Sequence, residues 1–438
     1  MKNIDKKSFG LLVIFLLFNN YFYSQTVETP YKVGTWQGFK SAAVTYTFDD
    51  NCSNQLELAV PMFDEYDFKL TMYIVTGWGP NWTRLKNTAA NGHEIGSHTV
   101  THTSLSGLSD EEQTTELKNS HDIINSNIPE QKCVTIAYPY CNTGNNSIVQ
   151  QYYFAARGCS GSIEDKTPND FNNISSIICG SEGNVKTTSH FNTKVESAVK
   201  KKGWCVFLLH GIDNDGGYSS LSSDTLRKSL DYLKANEDRF WVATFANVAG
   251  YIKERNSVSV SETSSTEDSI TVEVTDDLDN EYFNYPVTIR RPLPDGWTYA
   301  VAQNNEDLTV EVVETDSINY IMFDVIPDNG EIILTKSNTT GVEDNYQGSI
   351  PDGFLLYQNY PNPFNPSTTI NYSIINSGPV TLKIYDSLGQ EIETLVDKVM
   401  QPGEYRVEWN ARNLPSGEYF YKLSIDDYSQ TKKMVLLK

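Results

Sequence analysis

Between residues 36 and 255, short apolar runs alternate with longer stretches of mixed polarity. The runs lie at 44–48, 70–75, 134–138, 205–209 and 241–245, and each predicts a strand. Between them, 110–124 after the cap candidate Ser109, and 224–233, have the spacing of helices. Strands alternating with helices predict an α/β domain with a parallel sheet. Runs apolar on both faces suit a barrel or a sheet covered on both sides. After Arg255 the texture changes. Residues 257–268, rich in Ser, Thr and Glu, form a linker or an edge strand, and short strands follow at 270–274, 287–289, 308–312, 320–325 and 332–334. Helical spacing is missing there, so 256–340 is expected to be a small all-β domain. A second polar linker covers 337–349. From 351 to 438 apolar and polar residues alternate again at period two, with strands at 380–385, 405–409 and 419–425, the pattern of a sandwich.

The first residues depart from all of this. Lys2, Lys6 and Lys7 precede an apolar run at 11–18, after which Asn19 and Asn20 restore polarity. Eight apolar residues cannot span a hydrocarbon layer that needs roughly 20. They suit an export signal over 1–24, cut near Ser24/Gln25. No second long apolar run follows, so no membrane span is expected in the mature chain. The 438 residues suit about three domains. A formal charge of −22 disfavours nucleic acid and anionic lipid as partners. All six cysteines fall between Cys52 and Cys205. Export permits disulfides, and the sequence does not choose among the 15 pairings six cysteines allow.

Four clusters stand at the ends of the apolar runs or just beyond: Thr47-Phe48-Asp49-Asp50, Glu94 to His98 and His102, Tyr138-Pro139-Tyr140-Cys141, and Leu208-Leu209-His210. In parallel α/β architectures reactive residues gather at the carboxyl ends of strands. His98 and His102, four residues apart, would share one side of a helical turn. With one carboxylate they make a two-histidine, one-aspartate set for a divalent metal with a position left open. His93-Glu94 is followed by His98 one residue too late for the zinc-protease helix motif, and no G-x-S-x-G elbow occurs.

In this order the clusters resemble the polysaccharide deacetylase family, the NodB-like domain of carbohydrate esterase family 4, over about residues 37–255. The matching residues are Thr47-Phe48-Asp49-Asp50, His98-Thr99-Val100-Thr101-His102, Tyr138-Pro139-Tyr140 and Leu208-Leu209-His210. Gly92-His93-Glu94-Ile95-Gly96 and the run at 240–245 are similar too. The resemblance implies a distorted (β/α) barrel with a metal site at its mouth, followed here by two small all-β domains. It implies Asp50, His98 and His102 as ligands of zinc or another divalent metal, and Asp49 as the general base toward water. It further implies the Tyr140 backbone N–H as an oxyanion donor and His210 as the acid toward the leaving group. Two departures stand out. Ala137 occupies the place where the family often has an Arg that orients the base, which leaves open what holds Asp49. The family's Asp and Trp pair, which tunes the acid His, has no match beyond the weak candidates Asp165 and Asp170. His121 and His190 are expected to be solvated and His93 structural. Trp78 and Trp82 could stack on sugar or pack at a loop edge, and Cys52 and Cys141 flank the site.

The phrase Tyr357-Gln358-Asn359-Tyr360-Pro361-Asn362-Pro363-Phe364-Asn365-Pro366 resembles the start of the C-terminal sorting domain of the type IX secretion system, as do Ile384-Tyr385-Asp386-Ser387-Leu388-Gly389, Leu414-Pro415-Ser416-Gly417-Glu418-Tyr419 and the closing Lys432 to Lys438. This resemblance implies export through the periplasm to the cell surface or beyond, with the type IX machinery as partner. The expected function is a secreted, metal-dependent hydrolase that removes acetyl groups from a polysaccharide, polymers of N-acetylglucosamine type first. An O-acetyl esterase of xylan type and a non-catalytic surface carbohydrate-binding protein are the alternatives.

Overall fold

The computed structural model describes residues 30–336 and 355–436, apart from 295–296, 298–299, 305, 309, 316–317, 358, 360–361, 363, 375–376, 388, 402, 413 and 426–427. The expected export signal and the linker at 337–349 lie outside the described residues. The chain divides into two compact units, Met1–Asn338 and Thr339–Lys438.

The first unit opens with β1 (Lys32–Val33), then β2 (Ala42–Asp49), β3 (Thr71–Ile74), β4 (Glu94–Ser97), β5 (Thr135–Ala137), β6 (Ala155–Arg157), β7 (Ile177–Ile178), β8 (Trp204–Leu209) and β9 (Phe240–Val242). Strands β2 to β8 form one parallel sheet in the order β6-β5-β4-β3-β2-β8-β7, with β9 also paired to β2. The segment before β7 bonds back to β6 through Ile174, whose N–H donates to Ala156 and whose carbonyl accepts from Gly158. The sheet thus curls into a distorted barrel. Helices α1 (Val60–Glu65), α2 (Trp82–Ala90), α3 (Asp110–Asn127), α4 (Asn146–Val149), α5 (Thr188–Lys201), α6 (Ser223–Lys234) and α7 (Phe245–Ser257) connect the strands.

Strand β2 is buried along its whole length, and its two faces do different things. Val44, Tyr46 and Phe48 join the core shared with Leu117, Leu226 and Leu230. The alternate positions turn the other way, where Ala43 packs with Trp204 and Phe245. There Thr45 donates to the Ala243 carbonyl at 2.9 Å and Thr47 to the Phe207 carbonyl at 2.8 Å, so the buried hydroxyls are satisfied. Two-residue periodicity puts Asp49 on this inner face as well. Helix α3 begins with a capping box between Ser109 and Glu112. The apolar run at 241–245, expected to be all strand, stops at Val242. The Thr244 side chain accepts from the Asn247 N–H and starts α7 at Phe245, so local capping overrides the strand pattern.

The rest of this unit is β10 (Ser259–Ser265), β11 (Ser269–Thr275), β12 (Val287–Pro292), β13 (Ala300–Asn304), β14 (Glu306–Asp307), β15 (Val310–Thr315), β16 (Ile318–Val325) and β17 (Ile332–Lys336). They make two antiparallel sheets, β1-β12-β16-β15 and β10-β11-β17-β13-β14, around Val272, Ile289, Phe323 and Leu334. Residues 259–265 are the edge-strand alternative rather than a linker. The segment ahead of the barrel belongs to this sandwich. Lys32 and Val33 pair with Arg290 and Ile289, Gly34 N–H donates to Thr288 O at 2.8 Å, and Tyr251 of α7 donates to Gly34 O at 2.8 Å.

The second unit holds β18 (Leu355–Leu356), β19 (Ser367–Ile374), β20 (Gly378–Asp386), β21 (Glu391–Met400), β22 (Gly403–Asn410), β23 (Gly417–Ile425) and β24 (Tyr428–Leu436). Its sheets, β18-β19-β22 and β21-β20-β23-β24, enclose Leu382, Trp409, Tyr421 and Met434. Among the described residues no helix is long and apolar enough to cross a membrane.

Candidate active site

Strand β2 ends on Asp49, and the chain then turns sharply. Asp50 and Asn51 both adopt left-handed backbone, φ 73° and 52°, a conformation that costs non-glycine residues energy and persists only where neighbours enforce it. Asn51 supplies that enforcement. Its side-chain amide donates to the Val75 carbonyl at 2.9 Å and accepts from the Val75 N–H at 3.0 Å. The Gln55 amide donates to the carbonyls of Asp49 and His210, tying the ends of β2 and β8 together. The two adjacent carboxylates are thereby presented to different surroundings.

The histidine pair does not sit on a helical turn as its spacing predicts. His98 follows β4 directly, and residues 99–102 form an irregular loop in which Thr99 and His102 are left-handed, φ 66° and 63°. Glu116 of α3 accepts from the N–H groups of Val100 and Thr101, both at 2.9 Å, and Gly77 N–H donates to Val100 O at 2.9 Å. A Cβ at Gly77 would lie 2.5 Å from Val100 O, so only glycine permits that approach. Four-residue spacing brought the rings together through a loop held by side-chain acceptors.

One ligand atom each from Asp50, His98 and His102 lies within 4.8 Å of the others. Asp50 Oδ1 is 3.5 Å from His98 Nε2 and 3.3 Å from His102 Nε2. It is buried without a hydrogen bond among the described residues. His98 Nδ1 donates to the Ala137 carbonyl at 2.8 Å, which leaves the Nε2 lone pair facing the carboxylates, the tautomer a metal ligand needs. Burial pushes His98 down to about 4 and lowers His102 also, so both rings are neutral at neutral pH. Burial and the neighbouring Asp49 push Asp50 up to about 6. An orphaned carboxylate oxygen and two neutral imidazoles fit a divalent cation, whose charge reverses the pressure on Asp50.

Asp49 is held by Arg157, which the sequence did not single out. From the end of β6 its guanidinium reaches Asp49 Oδ2 at 2.6 Å and Oδ1 at 3.1 Å, and Thr47 Oγ1 at 2.8 Å. Both side chains are buried. Burial alone would raise Asp49, but Arg157, His98 and His210 together hold it below the usual carboxylate range. The fork comes from the strand beside Ala137, since Ala137 and Arg157 pair across β5 and β6.

His210 closes the far side, its Nε2 at 3.9 Å from Asp49 Oδ2 and 3.8 Å from Asp50 Oδ2. Burial lowers its pKa more than the two carboxylates raise it. Its Nδ1 is buried without a partner among the described residues, and neither weak candidate serves it. Asp165 pairs with Lys201 and Asp170 caps Asn172. Tyr140 stands in left-handed backbone, φ 55°, with its ring 4.8 Å from that of His102. Trp78 lies 5.2 Å from His102 and Tyr218 lies 5.1 Å from His210. Among the described residues from 37 to 255 these three are the exposed large hydrophobic side chains, at 52%, 67% and 53% for Trp78, Tyr140 and Tyr218. Asp215 fixes the loop bearing Tyr218 by accepting from Ile212, Gly217 and Asn54 N–H groups. Trp82 instead packs against the barrel core.

Cys141 is bonded to Cys159, and Cys52 is a free thiol pushed up to about 12 by burial and nearby carboxylates, so neither offers a thiolate to a metal. His93 is buried between Leu70 N–H and Asp64, His121 packs against Tyr152 and Tyr153, and His190 Nδ1 accepts from the Lys186 N–H at the start of α5, and none of the three belongs to the Asp50, His98 and His102 group. A cavity of about 240 Å³ is lined by Asn51, Cys52, Trp78, Asn81 and Arg84 among others. A larger one, about 330 Å³, lies at the opposite end of the strands. Its buried acid, Glu94, accepts from Thr71, Thr135 and the Ala246 N–H, and is structural.

Residues 37–154 match the family described as polysaccharide deacetylase, and residues 358–437 match the secretion system C-terminal sorting domain. A gellan lyase from Bacillus sp. is 28% identical over 325 residues, 69% of this chain and 13% of that protein. A putative polysaccharide deacetylase, YxkH, from Bacillus subtilis (strain 168) is 31% identical over 101 residues, 22% of this chain and 36% of that protein. The chain therefore spans a minor part of either relative. A crystal structure of a putative polysaccharide deacetylase from Mycobacterium smegmatis superposes on 50% of this chain and 93% of its own, at 15% identity and a TM-score of 0.40.

Proposed function

Because the chain carries a polysaccharide deacetylase domain and a secretion sorting domain, we propose that it is an exported hydrolase that removes acetyl groups from a polysaccharide outside the cell. The observation that carries this reading is the cluster of Asp50, His98 and His102 beside a second carboxylate held ionised by Arg157. Asp50, His98 and His102 would hold a divalent metal, and two nitrogens with one carboxylate oxygen suit zinc. The ion supplies Lewis acidity toward water and toward the acetyl carbonyl.

The chain's own residues do the rest. Asp49 accepts the proton that the attacking water loses as its oxygen bonds to the acetyl carbon. The Tyr140 N–H donates to the oxyanion. His210 takes up a proton from solvent before the step and hands it to the departing nitrogen or oxygen as its bond to the acetyl carbon breaks, releasing acetate. Trp78, Tyr140 and Tyr218 offer exposed ring faces around the site, the surface that sugar rings stack on. Nitrogen is the preferred leaving atom and polymers of N-acetylglucosamine the preferred substrate.

Acetate release from chitooligosaccharides and from acetylated xylan, measured side by side, tests the reading. Release from the first substrate is expected. Release from xylan alone would make the protein an O-acetyl esterase, and release from neither with the metal loaded would leave a binding protein. His98→Ala and His102→Ala should each lose metal and acetate release together, read by elemental analysis and assay. A variant of either kind that keeps one metal per chain and full turnover would remove the pair from the site.

Deleting the chain from Pro351 onward should leave acetate release intact and keep the protein in the cell envelope, read by fractionation of producing cells. Normal appearance of the shortened protein in the medium would refute the role given to the tail.

A further inference from the structure

We propose that the Cys141–Cys159 disulfide is a positioning device for the active site, holding the turn that presents the Tyr140 N–H, so that full turnover requires an oxidising compartment. The inference rests on the deacetylase reading above and concerns how its oxyanion donor is kept in place.

Tyr140 and Cys141 are consecutive left-handed residues, φ 55° and 62°. Neither is Gly, Asn or Asp, the residues that tolerate this backbone most readily. Such a turn needs to be held from outside. Its own hydrogen bonds do little of that. Cys141 N–H donates back to Tyr138 O, and Asn142 N–H to Pro139 O, both at 3.1 Å, so the turn is tied largely to itself. The Asn142 amide adds a bond to Ser104 Oγ at 2.9 Å, in a region open to solvent.

The other end of the disulfide is anchored far better. Cys159 follows Gly158, whose N–H donates to Ile174 O at 2.8 Å, and a Cβ at Gly158 would lie 2.0 Å from Asn173 Oδ1. Before Gly158 comes Arg157, buried and bonded to both Thr47 and Asp49. Strands β5 and β6 pair at Ala137 and Arg157, and Tyr138 N–H donates to Arg157 O at 3.1 Å. The sulfur bridge, with Cα atoms 5.7 Å apart, therefore joins the two strand ends that carry the oxyanion donor and the base holder. A loosely held turn is fastened to a tightly packed segment.

The pairing is selective. Among the described residues Cys52, Cys133, Cys179 and Cys205 are free, three of them fully buried inside the barrel. Formation transfers two electrons and two protons from the Cys141 and Cys159 thiols to a disulfide oxidant, which leaves as its dithiol. The reverse step needs a dithiol or phosphine reductant. Before export the thiols stay reduced and the turn is free to relax.

The full-length, metal-loaded protein is treated with a phosphine reductant, and the double variant Cys141→Ser, Cys159→Ser is prepared in parallel. Thiol counting confirms the reduction, and elemental analysis and circular dichroism follow metal and fold. Losing a well-placed oxyanion donor should lower kcat by about 10²-fold with KM little changed. Metal content should hold, and amide hydrogen exchange at residues 138–142 should quicken. Glutathione disulfide should restore the reduced wild type and leave the serine variant unchanged. Unaltered exchange at 138–142 after complete reduction would overturn the inference, whatever the substrate. So would unaltered kcat, or a loss of activity that only follows loss of metal or fold. An oxidised wild type that releases no acetate while its exchange still responds to reduction would instead count against the deacetylase reading.

Discussion

Asp49→Asn should keep its metal and lose turnover. An amide cannot take a proton from water, and loss of a general base costs about 10²–10⁴-fold in rate. Metal retention follows from the electrostatics of the pair. Burial and the charge of Asp49 are what raise Asp50, so neutralising Asp49 makes Asp50 easier to ionise and a readier ligand. Asp50→Asn should do the opposite, since a neutral amide is a poorer donor to a hard dication and Asp50 is the carboxylate nearest both imidazoles. Metal content and the pH–rate profile of both variants decide the matter. The acid limb should vanish or move in the Asp49 variant alone. Metal lost from Asp49→Asn and kept in Asp50→Asn would exchange the two roles.

Arg157→Met should strike stability and chemistry together. Asp49 would be left as a buried carboxylate without its countercharge, and breaking a buried pair from one side typically costs about 3–5 kcal/mol. The pH dependence should also change sign. In the native protein the folded pKa of Asp49 lies below the unfolded value. Its contribution to stability is therefore present above the unfolded carboxylate value, about 3.9, and lost as pH falls through the folded pKa. Without the guanidinium, burial, the largest influence on Asp49, dominates and the folded pKa rises above that value. The group then destabilises the folded state at neutral pH, and that penalty shrinks on acidification. Denaturant unfolding of the metal-free protein near neutrality and near the carboxylate range, for both proteins, reads the two slopes. A variant whose stability falls with acid as the wild type's does would mean that Arg157 does not set the state of Asp49.

The grouping of Asp50, His98 and His102 was legible in part, because Asp49 and Asp50 end the apolar run at 44–48, whereas His98 and His102 follow none of the five runs and stood out by their spacing alone. In β2 the two-residue period that buries Val44, Tyr46 and Phe48 also turns Asp49 inward. Arg157 was not legible. Strand β6 is three residues long, too short to show a period, and one cation after two alanines carries no signal of burial. Its partner Asp49 is 108 residues away in sequence. The gap at Ala137 was the available clue, because a buried carboxylate needs a countercharge, and Arg157 supplies it from β6, the strand paired with Ala137's own. The histidine spacing misled for a related reason. Four residues bring side chains together on a helix, and equally across a loop with two left-handed residues, here held by Glu116 and by the close approach of Gly77. At 241–245 the strand pattern was correct until Thr244 offered a cap.

The two-residue strand β1 has a bearing on how the chain can be assembled. Lys32 and Val33 come before the barrel, yet their partners Arg290 and Ile289 come after it. Gly34 is gripped from both directions, by Thr288 and by Tyr251. The barrel's entrance and exit are thus clasped by one later-arriving sheet. However early the barrel strands condense during synthesis or passage through an export channel, no fragment ending before residue 287 contains the strand that receives β1. Lys32 and Val33 must wait for more than 250 residues to follow before their pairing exists.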